Sequence, residues 1–196
     1  MDSVAKPTVA ILYGTGEGKK IGKRLCRSLA ARGFVCTDNP VTADAIIAHS
    51  GGTLLLPPQT AAKAILIVGP ITGFRGSLLG TTVKKVRQDW QQARASKSTA
   101  HFLRKSMYNA RYLLTRPAHH GRMLRGLASG RKLLPSLTTP NVGVIALRND
   151  PWSGFLAELA PHDRHSYTFL HYNKLHDDLW ENPHDYITVL EYLYAK

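Results

Sequence analysis

The chain has 196 residues, 43% of them hydrophobic, and a formal net charge of +13. That length suits one domain, or one domain carrying an inserted subdomain. No apolar run approaches the roughly 20 residues of a membrane-spanning helix, which excludes a helical span.

The opening MDSVAKPTVA has no charged stretch followed by a long apolar one, so no secretion signal is expected. Two cysteines, Cys26 and Cys36, are too few for a disulfide framework and form no CxxC pair. They point to a reducing cytoplasm and to structural thiols. The charge is unevenly spread. Residues 1–71 carry 8 Lys+Arg and 4 Asp+Glu, residues 72–138 carry 14 and 1, and residues 139–196 carry 4 and 8. The middle segment is therefore a distinct unit with its own surface role.

In chain order, TVAILYG (Thr8–Gly14) is a continuous apolar run, as expected of a strand buried on both faces. KKIGKRLCRSLAARG follows, with Ile21, Leu25, Leu29 and Ala30 at helical spacing and Gly33 as its stop. FVCTDNP reads as a short strand, ADAIIAHS as a buried one, and GGTLLLPPQTAAKA as a turn into a helix disturbed by Pro57 and Pro58. AILIVGP, NVGVIALRND and SYTFLHYN supply three more strands. NPHDYITVLEYLYAK is an amphipathic helix with Pro183 in its first turn. Strands alternating with helices predict an α/β fold with a mostly parallel sheet. Residues 72–138 contain no convincing strand. Val83, Val86, Trp90 and Ala93 share one helical face there, and Leu103, Met107, Ala110 and Leu114 another. They read as a helical insertion between two strands.

Four stretches could carry chemistry. GTGEGKK places Gly14, Gly16 and Gly18 after the first strand, but a dinucleotide fingerprint needs GxGxxG, and Lys19 takes the position after Gly18. A Walker A loop fails as well, since Tyr13 and Lys20 stand where glycine and Ser or Thr belong. Asp38 lies near the distance at which an acid would meet a ribose. A phosphate cradle and a plain strand-to-helix turn both fit.

AHSGG (Ala48–Gly52) departs from the G-x-S-x-G elbow only by Ala48, which is still small. By itself it fits either an elbow or an ordinary turn. Asp150 ends the strand of NDPW, and His176 follows a strand in HDDLWENP. Ser50, Asp150 and His176 thus appear in the order Ser, Asp, His, each just past a strand. That is the α/β-hydrolase order, not that of chymotrypsin or subtilisin.

With GTG, AHSGG, NDPW and HDDLWENP each at a strand end, the sequence resembles the small serine hydrolases of the α/β-hydrolase superfamily. The resemblance implies a minimal α/β-hydrolase core at 1–71 and 139–196, with 72–138 as a basic helical lid or cap. It implies Ser50 as nucleophile, His176 as base and Asp150 as the acid, with Asp163 and Asp178 as weaker alternatives for the acid. The backbone N–H groups of Thr15 and Gly51 would form the oxyanion hole.

The expected substrate is a small ester or thioester, acidic or lipid-like, turned over through an acyl-enzyme in the cytoplasm. No cofactor is expected, and no metal, because neighbouring residues such as His176, Asp177 and Asp178 rarely face one ion. The basic middle has three readings: a solvated surface, an amphipathic face for anionic lipid, or nucleic-acid contact. No RNP, zinc-finger or helix-turn-helix signature supports the last. Two rivals remain open. One is a non-catalytic anion, nucleotide or nucleic-acid binder using GTGEGKK and the basic middle. The other is a hydrolase-fold scaffold with an idle triad.

Overall fold

A computed structural model describes residues 5–14, 19–70, 141–147, 167–174 and 176–196, with single helical positions between Val83 and Gly121. The described residues form six strands: β1 (Thr8–Leu12), β2 (Val35–Thr37), β3 (Ala45–His49), β4 (Ala64–Val68), β5 (Asn141–Leu147) and β6 (Tyr167–Tyr172). Every apolar run read as a strand forms one. They make a single sheet in the order β2-β1-β3-β4-β5-β6, with every neighbouring pair parallel. β3 and β4 are buried along their whole length, which is why their sequences are continuously apolar rather than alternating.

From β1 the chain goes to β2 on one side, then returns to place β3 on the other. The sheet therefore reverses its winding between β1 and β3. In open α/β sheets such a reversal opens a crevice at the carboxyl ends of the two strands.

The sheet has two buried faces. Val9, Ala45, Ile47, Leu66, Ile145 and Leu147 face α1 (Lys19–Ala31) and a C-terminal helix. Ala10, Ile46, Ala48, Ile65, Val142 and Val144 form the other face with Leu54 and Leu56. Each fully buried Leu or Ile contributes about 1.5–3 kcal/mol. The C-terminal part holds α2 (Asp178–Glu181) and α3 (Pro183–Ala195). α3 lies close over β5, since a Cβ on Gly143 would meet the Leu193 side chain.

α1 stops at Gly33, as expected, and the mechanism is a Schellman cap. Gly33 has φ +87°, its N–H donates to the Ala30 carbonyl, and the Phe34 N–H donates to the Leu29 carbonyl. Buried Phe34 and Leu29 share the same core cluster. Next to this cap, Cys36 on β2 meets Cys26 on α1. Burial first, then the hydrogen bond with Cys26, push the Cys36 thiol up to about 12, so it stays neutral and packs.

GGTLLLPPQTAAKA does not enter an α-helix. Ser50–Leu55 form a 3-10 helix that ends before Pro57, and residues 56–63 have no helical turn. Pro57 and Pro58 offer no N–H to continue it, and Leu54 and Leu56 are buried in the core. His176, expected in a loop, lies in a turn leading directly into α2.

Asp44 ties the starts of β1 and β3 together. Its carboxylate accepts the Thr8 N–H at 2.7 Å and the Thr8 hydroxyl at 2.8 Å. Those two bonds, the backbone one first, hold its pKa below the usual carboxylate value. Its contribution to stability is complete above the unfolded carboxylate pKa and is lost as pH falls through the lower folded one. Asp44→Ala is expected to lose about 1 kcal/mol near neutrality, since the site is partly screened by solvent. The gap from wild type should close in urea titrations as pH falls below the ordinary carboxylate range. A gap independent of pH would contradict this account.

Candidate active site at the strand ends

β3 delivers Ser50 to the crevice between β1 and β3. Ser50 has φ 54°, and it is the one non-glycine residue with positive φ among those described. For an L-residue this conformation costs about 1–2 kcal/mol. Its surroundings explain how it is held. Thr53 Oγ1 donates to the Ser50 carbonyl at 2.8 Å within the 3-10 turn. Gly52 lies so close to the end of β1 that a Cβ there would collide with the Leu12 carbonyl oxygen, and would stand 2.6 Å from its carbon. Ala48, two residues before Ser50, is fully buried and lies in register with the same Leu12. The glycine two residues after Ser50 is thus required by how close the chain comes to β1. Ser50 itself is 3% exposed, and Gly51 beside it is buried.

His49 is the polar residue of an otherwise apolar strand, and it is fully buried. Its Nε2 lies 2.8 Å from the His176 carbonyl oxygen. A carbonyl only accepts, so Nε2 carries the proton and donates. The His49 ring lies 4.8 Å from the His176 ring and 5.0 Å from Trp180. Trp180 in turn stacks on Tyr13 at 5.7 Å. A chain of rings therefore joins the ends of β1 and β3 to the segment after β6. It brings His176, which is 9% exposed, beside the residue preceding Ser50. Trp180 and Tyr13 were given no role from sequence. The signal for His49 was present: a histidine closing a buried apolar strand must have a polar partner.

Asp178 is otherwise engaged. Tyr186 Oη donates to one carboxylate oxygen at 2.9 Å, Asn182 Nδ2 donates to the other at 2.8 Å, and Lys174 Nζ stands 3.7 Å away. Burial, then the bond to Asp178, raise the Tyr186 pKa, so this phenol stays protonated and donates. Asp178 thus anchors α2 to α3. Asp150, the alternative acid Asp163, and Thr15 lie outside the described residues. Among the described residues no cluster of three or more His, Cys, Asp or Glu could hold a metal ion. An open polar groove of about 400 Å³, lined by Arg24, Ser28, Lys174 and His184 among others, includes neither Ser50 nor His176.

No protein-family model matches the sequence, and no curated protein matches it. Solved structures do match. An α/β hydrolase from a Medee basin deep-sea metagenome library superposes with a TM-score of 0.64 at 12% identity, covering 100% of this chain and 92% of that one. The enol-lactonase of Burkholderia xenovorans gives 0.60 at 11% identity, over 98% and 93% of the two chains. A thioesterase domain from the curacin biosynthetic pathway gives 0.57 at 10% identity, over 95% and 91%. This chain has the α/β-hydrolase fold. In α/β-hydrolases the nucleophile stands on a sharp turn between a strand and a helix, and the triad follows in the order Ser, acid, His. Ser50 follows β3, Asp150 lies beyond β5 in sequence, and His176 follows β6.

Proposed function

We propose that the protein is a serine hydrolase that cleaves a small ester or thioester through an acyl-enzyme. The observation that carries this reading is Ser50. A serine is kept at positive φ, directly after a buried strand, at the reversal point of the sheet. An ordinary turn would place glycine there and avoid the strain. The lactonase and the thioesterase that share the fold support acyl transfer to water as the reaction class.

In this reading Ser50 Oγ attacks the acyl carbonyl while His176 takes its proton. His176 then gives that proton to the departing alcohol or thiol, leaving the acyl group on Ser50. Water, deprotonated by His176, attacks the acyl-enzyme and releases the acid. Asp150 orients the imidazole and stabilises its charged form. Backbone N–H groups of Gly51 and Thr15 receive the oxyanion, each worth about 3 kcal/mol in the transition state. His49 is a positioning residue: its bond to the His176 carbonyl fixes the backbone from which the base projects. All these groups come from 1–71 and 139–196, and residues 72–138 supply none.

A fluorophosphonate probe tests the reading. The folded protein is expected to be labelled on the peptide containing Ser50. Ser50→Ala and His176→Ala should abolish labelling, with turnover lower by about 10⁴-fold or more. Labelling that survives Ser50→Ala would remove the proposed nucleophile. A folded wild type that never labels would leave an idle scaffold.

A further inference from the structure

Six large apolar side chains between residues 83 and 114 stand in the open. Val83, Val86, Trp90, Leu103, Met107 and Leu114 are between 41% and 82% exposed, at positions that are helical. Their spacing is not scattered. Val83, Val86 and Trp90 stand at i, i+3 and i+7, and Leu103, Met107 and Leu114 at i, i+4 and i+11. At helical spacing, positions so separated fall on one side. In a globular protein such a stripe faces the core. Here both stripes face outward, and patterned apolar exposure marks a surface with an occupant.

Charge selects that occupant. Residues 72–138 hold 14 Lys and Arg against the single acid Asp89. Exposed Arg87 lies four residues after Val83, and exposed Arg111 lies four after Met107 and three before Leu114. Both guanidinium groups therefore share or border the apolar stripes. A second copy of the chain would bring the same positive charge against this face. A nucleic acid would pair with the cations but leave valine, leucine and methionine against water. An anionic bilayer surface receives both: lipid phosphates take the Arg and Lys heads, and the acyl boundary takes the aliphatic side chains.

We propose that this face docks the protein on an anionic phospholipid membrane surface, lying on it without crossing it. Among the described residues no helix is long and apolar enough to cross. The proposal does not depend on the hydrolase reading, because its test reads binding and not turnover.

The experiment is vesicle sedimentation with the full chain. Phosphatidylcholine vesicles are compared with vesicles holding about 30% phosphatidylglycerol, and the anionic ones should bind at least about tenfold more tightly. Raising NaCl from about 0.1 M to about 0.5 M should weaken that binding by about tenfold. The triple variant Leu103→Ser, Met107→Ser, Leu114→Ser should weaken it by about tenfold with an unchanged melting temperature, since all three side chains are exposed. The pair Arg87→Glu, Arg111→Glu should weaken it as well and flatten its salt dependence. Equal binding to both vesicle types, or binding indifferent to the three serines, overturns the proposal. Tighter binding to a DNA or RNA duplex, unaffected by the serines, overturns it in favour of nucleic acid. A dimer in sedimentation equilibrium that the serines dissolve overturns it in favour of self-association.

Discussion

Ser50→Gly is expected to give a protein that melts higher than wild type and has lost its activity. Glycine occupies φ 54° without the steric cost that serine bears there. Part of that relief is returned through the greater freedom of glycine in the unfolded chain. The net gain is about 1 kcal/mol, or about 2–4 °C in Tm for a chain of this size. Turnover should fall by about 10⁴-fold or more, because the nucleophile is gone. Ser50→Ala separates the two effects. It loses the same activity, but alanine keeps a Cβ in the same strained backbone, so its Tm should stay near that of wild type. Thermal melts and ester turnover on the two variants decide the matter. If glycine and alanine melt alike, the backbone at Ser50 is not strained, and the main support for an active-site turn is lost.

Gly52→Ala should be the most damaging added methyl among the described glycines. The atoms it would strike are the carbonyl oxygen and carbon of Leu12, the last residue of β1, which is paired with Ala48 of β3. A backbone so held cannot yield as the end of a flexible side chain can. The expected loss is about 3 kcal/mol or more, a fall in Tm of about 6–12 °C. Whatever still folds should have moved the 3-10 turn away from β1, carrying Ser50 with it, so activity should fall further than stability. Gly33→Ala is the control. It has a positive φ, which Gly52 does not, but open space where the Cβ would lie. It should cost about 1 kcal/mol and leave turnover alone. Near-equal stability of the two variants would mean that the approach of Gly52 to β1 is not tight.

These contrasts also explain which parts of the structure were legible in the sequence. The central strands were, because β3, β4 and nearly all of β5 are buried and so read as apolar runs, and the short edge strands β2 and β6 were marked by the turn residues that follow them. Gly33 was, because its stop signal is local. Ser50 could be picked out but not decided, since its strained φ is a backbone property that AHSGG only permits. The 3-10 turn was missed because a short apolar run before two prolines has no period of its own. α2 is a single turn, too short to have one. Periodicity grouped Val83 with Trp90 and Leu103 with Leu114, but a stripe in sequence does not say which way it faces. His49 stayed undecided because its partner is far along the chain. Asp150 and Thr15 rest on the motif alone.

The bond from His49 to the His176 carbonyl joins groups 127 residues apart in sequence. It sets a time as well as a place. Closing so long a loop is entropically costly, and contacts of this separation form late in folding. β1, β3 and β4 can align while the rest of the chain is still loose, and the turn bearing Ser50 can form with them. The segment bearing His176 docks only after β5 and β6 have extended the sheet. The turn bearing Ser50 thus rests on contacts among β1, β3 and β4, while the bond that sets the histidine beside it closes a far longer loop.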